Sequence, residues 1–229
     1  MPTSTVEDYL KAILLAEPPS SPVGAGSETE PRVSMGQISS ALSVAPGTVT
    51  AMMKTLSDGG LVTYEPYSGV RLTEHGRRLA THVLRRHRLV EQFLVEIMGM
   101  DWSEVHDEAE RLEHAVSDRL IERMDEMLGF PEVDPHGDPI PDVHGVVRDA
   151  GHLADLAGCP LGVRVRVSRV ADQSPEFLRL AERRSLKPGS ELTVDRRDVA
   201  ADTVELSFPN GEPLSLGFRA AAKIQVEEV

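Results

Sequence analysis

The sequence predicts a mainly α-helical protein that ends in a small β domain. Apolar residues recur at helical spacing in several segments between Val6 and Met127, whereas from Val163 onward short runs alternate between apolar and polar residues. The stretch from Gly129 to Pro141 breaks both patterns with four prolines. We therefore expect three regions, at residues 1–78, 79–145 and 146–229.

The composition indicates a folded protein of the cytoplasm. Forty per cent of the 229 residues are hydrophobic, which is enough for a buried core. No apolar run approaches the ~18 residues of a membrane span, and Glu7 and Asp8 stand where a signal peptide would be cationic, so we expect no membrane partner. The single cysteine, Cys159, excludes an internal disulfide and a thiolate-rich zinc site. Any metal would therefore be held by oxygen and nitrogen.

Negative charge is concentrated in the middle region. The formal net charge of −13 is unusual for a protein that contacts phosphates through Lys and Arg. Lys and Arg number 6 against 8 Asp and Glu in residues 1–78, 6 against 16 in 79–145, and 12 against 13 in 146–229. A concentration of carboxylates is either a solvated helix face or a cation site, and the spacing of the residues has to decide between them.

The chain opens with a helix and an insertion. Apolar spacing favours a helix over Val6–Ala16 with Thr5 as its N-cap. The following stretch, Pro18–Pro31, is rich in Pro, Ser, Gly and Glu and is predicted to be mobile because it cannot bury much apolar surface.

Residues 34–73 predict a winged helix-turn-helix. Helices are expected over Ser34–Leu42 and Thr48–Asp58, joined by the turn Ser43–Gly47. Two short β runs follow, Leu61–Tyr64 and Val70–Thr73. Helix, short turn, helix and hairpin in this order are typical of proteins that bind double-stranded DNA.

Two long helices and a β-barrel are expected after the wing. The helices span Glu74–Met98 and Ser103–Met127, and they carry more apolar surface than surface helices need, which predicts the seam of a homodimer. The last region is predicted to form a small β-barrel with a hairpin turn at Asn210-Gly211. Its strand runs are Val163–Val170, Glu191–Asp195, Thr203–Phe208, Pro213–Phe218 and Ala222–Val226.

Histidines and carboxylates coincide on faces of the two long helices. On a wheel of about 100° per residue, four residues of the second helix fall within about 100° of arc. They are His106, Glu110, Glu113 and His114. On the preceding helix His87 and Glu91 stand four apart and are neighbours, and Asp8 of the first helix can join them. Mixed histidine and carboxylate ligands suit Mn²⁺ or Fe²⁺, so the spacing favours a metal site over a solvated face.

A series of motifs runs through the first two regions. They are Thr5–Leu10, the helix-turn-helix, the wing Tyr64–Gly69, and the segments Arg86–Phe93, Val105–His114 and Gly137–Pro141. In this order they resemble the diphtheria toxin repressor family of iron- and manganese-dependent regulators, over about residues 5–142. Residues 160–229 more weakly resemble the SH3-like third domain that longer members carry.

The resemblance implies a transcriptional repressor of metal homeostasis genes that binds operator DNA when metal is bound. It implies a primary metal site at Asp8, Glu110, Glu113 and His114, and an ancillary site at His87, Glu91 and His106. Iron-type members carry Met and Cys at the positions of Asp8 and Glu110, so the carboxylates here favour Mn²⁺. Fe²⁺ is the alternative, and Co²⁺, Ni²⁺, Zn²⁺ or Cd²⁺ are expected as substitutes in vitro. Lys11 replaces a carboxylate of members with a paired metal centre and therefore predicts two separated sites.

The third region offers one candidate ligand for the ancillary site. In longer relatives this domain lends side-chain oxygens from the loop after its first strand, and Asp172 is the candidate in that loop here. The alternative is that Asp172 merely starts a turn ahead of a helix over Pro175–Ala181.

The second helix of the helix-turn-helix is predicted to enter the major groove with its N-terminal end, and the wing to add contacts to the DNA backbone. The candidate contacts are Pro46, Gly47, Thr48, Thr50, Ala51, Lys54, Tyr67 and Arg71. This face has no Arg or Asn, so direct base discrimination is expected to be modest and DNA shape gains importance.

The sequence leaves two alternative classes of function. A metallohydrolase also uses carboxylates and histidines around an open metal, but it leaves the helix-turn-helix unexplained. A regulator that senses a small organic ligand would use its acidic helices only as structure. We expect a regulator that is not an enzyme, and metal-dependent retention of DNA separates the three classes.

Overall fold

The computed structural model describes residues 3–17, 32–147 and 153–229. The insertion predicted at Pro18–Pro31 lies outside the described residues. No helix in the described ranges is long and apolar enough to cross a membrane. The chain divides into two compact units, one comprising residues up to Arg86 together with Pro141–Val146, the other His87–Ile140 with Val147–Val229.

The first unit has the predicted winged helix-turn-helix. In chain order its elements are α1 (Ser4–Ala16), α2 (Met35–Leu42), α3 (Pro46–Asp58), β1 (Val62–Glu65), β2 (Gly69–Leu72) and the start of α4 (Glu74–Glu96). The two strands pair antiparallel, from Val62 with Leu72 to Glu65 with Gly69. Val33 adds an isolated bridge to Val70 and so attaches the segment before α2 to the wing.

Local signals explain where these helices begin. Thr3 caps α1 by accepting a backbone N–H of the first turn at 3.4 Å, so the expected cap at Thr5 is wrong and Thr5 lies inside the helix. Ser34 and Gln37 form a capping box at α2. Helix α3 starts at Pro46, two residues before the predicted start, because proline fits the first turn of a helix.

Apolar side chains from every element of the first unit meet in one core. Helix α3 contributes Val49, Met53 and Leu56, which recur at helical spacing and leave its opposite face to solvent. The start of α4 lies against the wing at Gly76, where an added Cβ would lie 1.9 Å from the carbonyl oxygen of Leu61. Only glycine therefore allows this close approach of helix and hairpin.

The helical part of the second unit contains the C-terminal part of α4, α5 (Val105–Leu112) and α6 (Asp118–Met127). The expected single helix over Ser103–Met127 is wrong. The chain leaves the helix after Leu112, and Ser117 is extended, with φ −73° and ψ 153°, at the N-cap position of α6. The β-branched Val116 before it is a weak helix former, and Ser117 occupies the N-cap position without a side-chain cap hydrogen bond. Glu113 and His114 consequently lie in a turn rather than on α5.

The C-terminal part of the second unit is a six-stranded antiparallel sheet with two helices. Its strands are β3 (Ala154–Asp155), β4 (Arg164–Val170), β5 (Glu191–Asp198), β6 (Thr203–Ser207), β7 (Pro213–Gly217) and β8 (Ile224–Glu228), in the spatial order β3-β8-β4-β5-β6-β7. The helices are α7 (Pro175–Arg183) and α8 (Phe218–Ala221). Gly211 has φ 83° between β6 and β7, which confirms the predicted hairpin turn.

The core of this domain extends into the helical part of the unit. Alternate residues of the strands, such as Val165 and Val167 on β4, face a cluster that also contains the buried side of α7. Trp102, which precedes α5, is part of the same cluster and is 4% exposed. The sheet domain and the α4–α5 connection thus share apolar packing.

Candidate metal centre and nucleic-acid interface

Two buried polar residues on α4 form the centre of the site. His87 and Glu91 lie one helical turn apart, and Nε2 of His87 is 3.1 Å from Oε1 of Glu91. Their side chains are 7% and 1% exposed. A carboxylate at this depth needs hydrogen-bond donors or positive charge, and the neighbouring elements supply them.

Helix α5 brings a second histidine and a second carboxylate to α4. Nδ1 of His106 lies 3.2 Å from Oε1 of Glu91, and its Nε2 lies 3.7 Å from Oε1 of Glu110. The rings of His87 and His106 meet edge to face with centroids 5.0 Å apart. His87, His106 and Glu110 each offer one ligand atom, and these atoms lie within 4.8 Å of one another. This is a first group of side chains that could surround a metal ion.

The turn after α5 extends the same network. Oε2 of the fully buried Glu113 lies 2.6 Å from Nδ1 of His87, and its Oε1 lies 3.3 Å from Nε2 of His114. His87 therefore contacts a carboxylate through each of its ring nitrogens, Glu91 through Nε2 and Glu113 through Nδ1. Although the helix ends at Leu112, Glu113 and His114 still reach the polar network of α4, and they belong to a second group of possible ligands.

A third group lies in the proline-rich stretch, and sequence analysis missed it. Asp134 and His136 offer ligand atoms within 4.8 Å of each other and of Glu91, and all three residues are buried. Oδ1 of Asp134 accepts the backbone N–H groups of His136 at 2.8 Å and of Asp138 at 3.0 Å, which folds the stretch into a turn. A signal was available, because acidic residues and a histidine occupy every second position of Asp134-Pro-His136-Gly-Asp138.

Burial makes it energetically costly for the carboxylates of this group, Glu91 and Asp134, to be ionised at the same time. Burial, with the nearby charges of Asp138 and Glu91, raises the pKa of Asp134 to about 8, although Arg88 opposes the shift. Burial alone would also raise the pKa of Glu91, but hydrogen bonds from His106 and His87 outweigh it and hold that pKa far below its ordinary value. A bound divalent cation would offset the repulsion among these carboxylates.

The donor set fits a divalent metal ion. Nδ1 of His136 is buried, has no hydrogen-bond partner among the described residues, and lies 3.8 Å from Oε2 of Glu91. Its Nε2 is bonded to the backbone carbonyl of Trp102 at 2.9 Å. Metal-binding histidines have this arrangement, with one nitrogen on a carbonyl and the other facing the ion. Carboxylate oxygens and imidazole nitrogens without sulfur suit Mn²⁺ and Fe²⁺.

The structure groups the expected ligands differently from the family pattern. Glu110 lies with His87 and His106, whereas Glu113 and His114 belong to another group. Asp8 belongs to α1 in the first unit, whereas Glu113 and His114 belong to the second, so their joint primary site stays a prediction.

Asp172 is held by its own domain. Its Oδ2 lies 2.5 Å from Nζ of Lys223, and its Oδ1 accepts the backbone N–H of Ser174 at 2.9 Å. Burial would raise the pKa of Asp172, but the hydrogen bonds from Lys223 and Ser174 lower it. Within the described ranges, Asp172 is in none of the metal-ligand groups, and its role as a ligand also stays a prediction. The adjacent Gln173 donates instead to Oδ2 of Asp138.

The expected DNA contacts lie on α3 and on the wing. The solvent-facing residues of α3 include Pro46, Gly47, Thr48, Ala51 and Lys54. Thr50 is half-buried, and its hydroxyl donates to the carbonyl of Pro46 at 3.0 Å, so it is engaged within the helix. Tyr67 is fully exposed at the tip of the wing with φ 66°, and Arg71 is half-buried on β2.

Three family models match successive parts of the chain. Residues 1–70 match the N-terminal DNA binding domain of iron dependent repressors, and residues 73–142 match their metal binding and dimerisation domain. Residues 154–228 match the FeoA domain. The three matches follow the order of the helix-turn-helix, the helical part and the sheet domain.

Curated relatives and a solved structure agree with these matches. The chain is 32% identical to the iron-dependent repressor IdeR of Mycobacterium tuberculosis over 194 residues, 80% of this chain and 83% of that protein. It is 34% identical to the regulator MntR of Lysinibacillus sphaericus over 135 residues, 59% of this chain and 89% of the relative. A solved manganese-dependent transcriptional repressor in complex with manganese superposes with a TM-score of 0.84 at 38% identity, covering 98% of this chain and 100% of that one.

Proposed function

The chain belongs to the iron-dependent repressor family, and from this premise we propose that it is a Mn²⁺-activated repressor of metal homeostasis genes. Members of the family are metal-dependent DNA-binding transcriptional repressors, and this chain is one of them. What we propose in addition is the metal, the residues that hold it and the way in which it controls DNA binding.

The observation that carries the proposal is the network of histidines and carboxylates, which is buried on α4 and in the 134–138 turn and partly exposed on α5. Its donors are oxygen and nitrogen, which favours Mn²⁺ over thiolate-seeking metals. Fe²⁺ is the second choice, since the same donors also bind it, and selectivity between the two has to come from geometry. The resemblance to a manganese-dependent repressor supports the same choice.

We assign the ligands to two sites. The family resemblance supports a primary site of Asp8, Glu110, Glu113 and His114, with Glu110 also near the ancillary histidines. The ancillary site comprises His87, Glu91 and His106, to which we add Asp134 and His136 because they share Glu91. If Asp172 joined the ancillary site, Lys223 and the metal ion would compete for it, since Lys223 is its ion-pair partner in the metal-free chain. The metal supplies positive charge that permits these buried carboxylates to stay ionised together.

Metal binding and DNA binding are coupled in this proposal. Asp8 lies on the helix that precedes the helix-turn-helix, so a metal that binds Asp8 together with Glu113 and His114 restricts the position of α1. The restricted arrangement is the one that fits the operator. By linkage, metal raises DNA affinity by the same factor by which DNA raises metal affinity.

Metal-dependent DNA binding separates the proposal from a metallohydrolase and from a sensor of an organic ligand. The experiment is a fluorescence anisotropy titration of labelled promoter fragments, with Mn²⁺ and with excess chelator. We expect retention of DNA only with Mn²⁺, and equal affinity in chelator would overturn the proposal.

Two variants test which of the two sites controls DNA affinity. His114→Ala should lose at least about tenfold in metal-dependent DNA affinity, because one primary ligand is missing. His106→Ala is the matched control, since it removes a histidine of the same helical region but leaves the primary ligands in place, and its effect should be smaller. An equal loss for both variants would contradict the division into two sites.

A further inference from the structure

Trp102 lies directly against the histidine of the third group. The rings of Trp102 and His136 stack with centroids 5.6 Å apart and an interplanar angle of 24°. The backbone carbonyl of Trp102 is also the hydrogen-bond partner of Nε2 of His136, at 2.9 Å. The two side chains are 4% and 0% exposed, so the imidazole has no solvent into which it can turn.

These contacts determine which nitrogen of His136 carries the proton. A carbonyl oxygen only accepts hydrogen bonds, so Nε2 has to be the donor. In the neutral ring the lone pair then resides on Nδ1. Nδ1 lies 3.8 Å from Oε2 of Glu91 and 3.9 Å from Oδ1 of Asp134, and it has no hydrogen bond among the described residues.

We propose that Trp102 is a positioning residue that fixes the ring and the tautomer of His136, so that Nδ1 is directed at a divalent cation between Glu91 and Asp134. Trp102 does not touch the cation. The inference rests on the proposed function, because it takes the cation between Glu91 and Asp134 to be Mn²⁺ or a similar divalent ion.

The sheet domain takes part in this positioning without supplying a ligand. Trp102 belongs to the apolar core of that domain, and Nζ of Lys187 lies over its ring at 5.0 Å from the centroid. The cation–π contact and the core packing hold the indole, and the indole holds the imidazole. The geometry of the third group therefore depends on the packing of the C-terminal domain.

The chain offers a matched pair of substitutions. Trp102→Leu keeps apolar volume but removes stacking, whereas Trp102→Phe keeps a ring that can stack on His136. Phe177→Leu is the control, because Phe177 is a buried aromatic residue of the same core with a lysine, Lys223, over its ring at 4.9 Å. A role of Trp102 in the core alone would make Phe177→Leu and Trp102→Leu behave alike.

The first readout requires no metal. In chelator, NMR spectra of the full chain with ¹⁵N-labelled histidine should show His136 protonated at Nε2 alone, with the signal assigned by its loss in His136→Gln. Trp102→Phe and Phe177→Leu should keep this pattern, and Trp102→Leu should give averaged shifts of two tautomers. The spectra are recorded at a pH where the ring is neutral, and a wild-type ring protonated at Nδ1 instead of Nε2 would overturn the proposal.

The second readout is Mn²⁺ binding to the full chain by calorimetry and by quenching of tryptophan emission, since Trp102 is the only tryptophan. Trp102→Leu should weaken one Mn²⁺ site by about ten- to a hundredfold, and Trp102→Phe and Phe177→Leu should weaken it by much less. Quenching in the wild-type chain should vanish in His136→Gln and persist in His114→Ala. Equal losses in both leucine variants would overturn the positioning role, whereas the proposed repressor function fails separately, if DNA affinity does not depend on Mn²⁺.

Discussion

His87 is the residue through which the buried carboxylates of the helical part are connected. One ring nitrogen contacts Glu91 and the other contacts Glu113, so the expected primary and ancillary ligands belong to one network. The helical wheel predicted which side chains converge here, because His87 and Glu91 are four residues apart on one helix. It could not predict Asp134 and His136, since an irregular turn has no periodicity that a wheel can display.

Asp172 provides a test at the scale of a residue. Its ion pair with Lys223 contributes to the stability of the metal-free chain, whereas a role as a metal ligand would contribute to Mn²⁺ affinity. The pKa of Asp172 is lowered in the folded chain, so its contribution to stability is present above the unfolded pKa of about 3.9 and is lost as the pH falls through the folded pKa. Asp172→Asn, which can still accept the N–H of Ser174, should cost about 0.2–1 kcal/mol at pH 7 in metal-free protein. Urea unfolding at a series of pH values measures this cost, and it should decrease as the pH falls below the unfolded pKa and through the folded pKa.

Lys223→Met is the control for this prediction. It removes the other partner of the ion pair, so its cost should show the same loss at acid pH, and the double variant should lose less than the two single losses together. A cost of Asp172→Asn that is the same at pH 2 and pH 7 would contradict the ion-pair account. A loss of Mn²⁺ affinity in Asp172→Asn would support the ligand role.

At the scale of elements, long periodic segments were predicted well and short or interrupted ones were not. Helices α2 and α3 and the wing follow from capping residues, apolar spacing and turn glycines. Strand β3 has two residues and α8 has four, which is too short for a periodic signal. The break between α5 and α6 was missed because a wheel assumes one continuous helix, whereas Ser117 starts a new one.

The contact between α4 and the wing depends on Gly76 and makes a prediction about stability. Gly76→Ala would place a Cβ 1.9 Å from the carbonyl oxygen of Leu61, so helix or hairpin has to move. We expect a loss of about 1–3 kcal/mol, measured as a shift of the urea unfolding midpoint. Gly47→Ala in α3 is the matched control, since no atom lies within 4 Å of its added Cβ and alanine is the better helix former. A destabilisation by Gly47→Ala as large as that by Gly76→Ala would show that the contact with Leu61 is unimportant.

At the scale of the molecule, the sheet domain and the helical part of the second unit share polar contacts as well as a core. Asp138 in the 134–138 turn lies 3.4 Å from Arg88 of α4 and 2.5 Å from Arg169 of β4. It also accepts a hydrogen bond from Gln173. The order of the three domains was predicted from the composition and from the helical and strand periodicity of the sequence. The sequence did not predict that two of the domains form one compact unit, because the contacts come from single side chains outside the periodic segments.

Exposed apolar residues of the helical part make a prediction about assembly. Leu120 and Met127 of α6 are 47% and 50% exposed and lie seven residues apart on one face, and Met98 and Phe130 are also exposed. We propose that this surface is the seam of a homodimer. Changing Leu120 and Met127 together to Glu should shift the mass in solution, measured by light scattering with Mn²⁺ present, from two chains toward one.

Val199→Glu is the control for the dimer prediction. Val199 is an apolar residue of the sheet domain that is 83% exposed, so the change adds one of the two negative charges of the double variant, at an exposed position outside the proposed seam. It should leave the mass at two chains. A wild-type chain that is monomeric with Mn²⁺ would contradict the prediction.

The solvent-facing side of α3 and the wing has a consequence for the ions around DNA. From Pro46 to Leu72 the chain contains two basic residues, Lys54 and Arg71. Each phosphate that a protein neutralises releases condensed counterions and contributes about −0.9 to the slope of log affinity against log salt. Two such contacts give this surface a slope of about −2 per protomer, so it gains little from the entropy of released counterions. A homodimer would have a slope of about −4, so its operator affinity should fall with ionic strength less steeply than that of strongly basic DNA-binding proteins, and bound metal gains importance as the variable that controls occupancy of the operator.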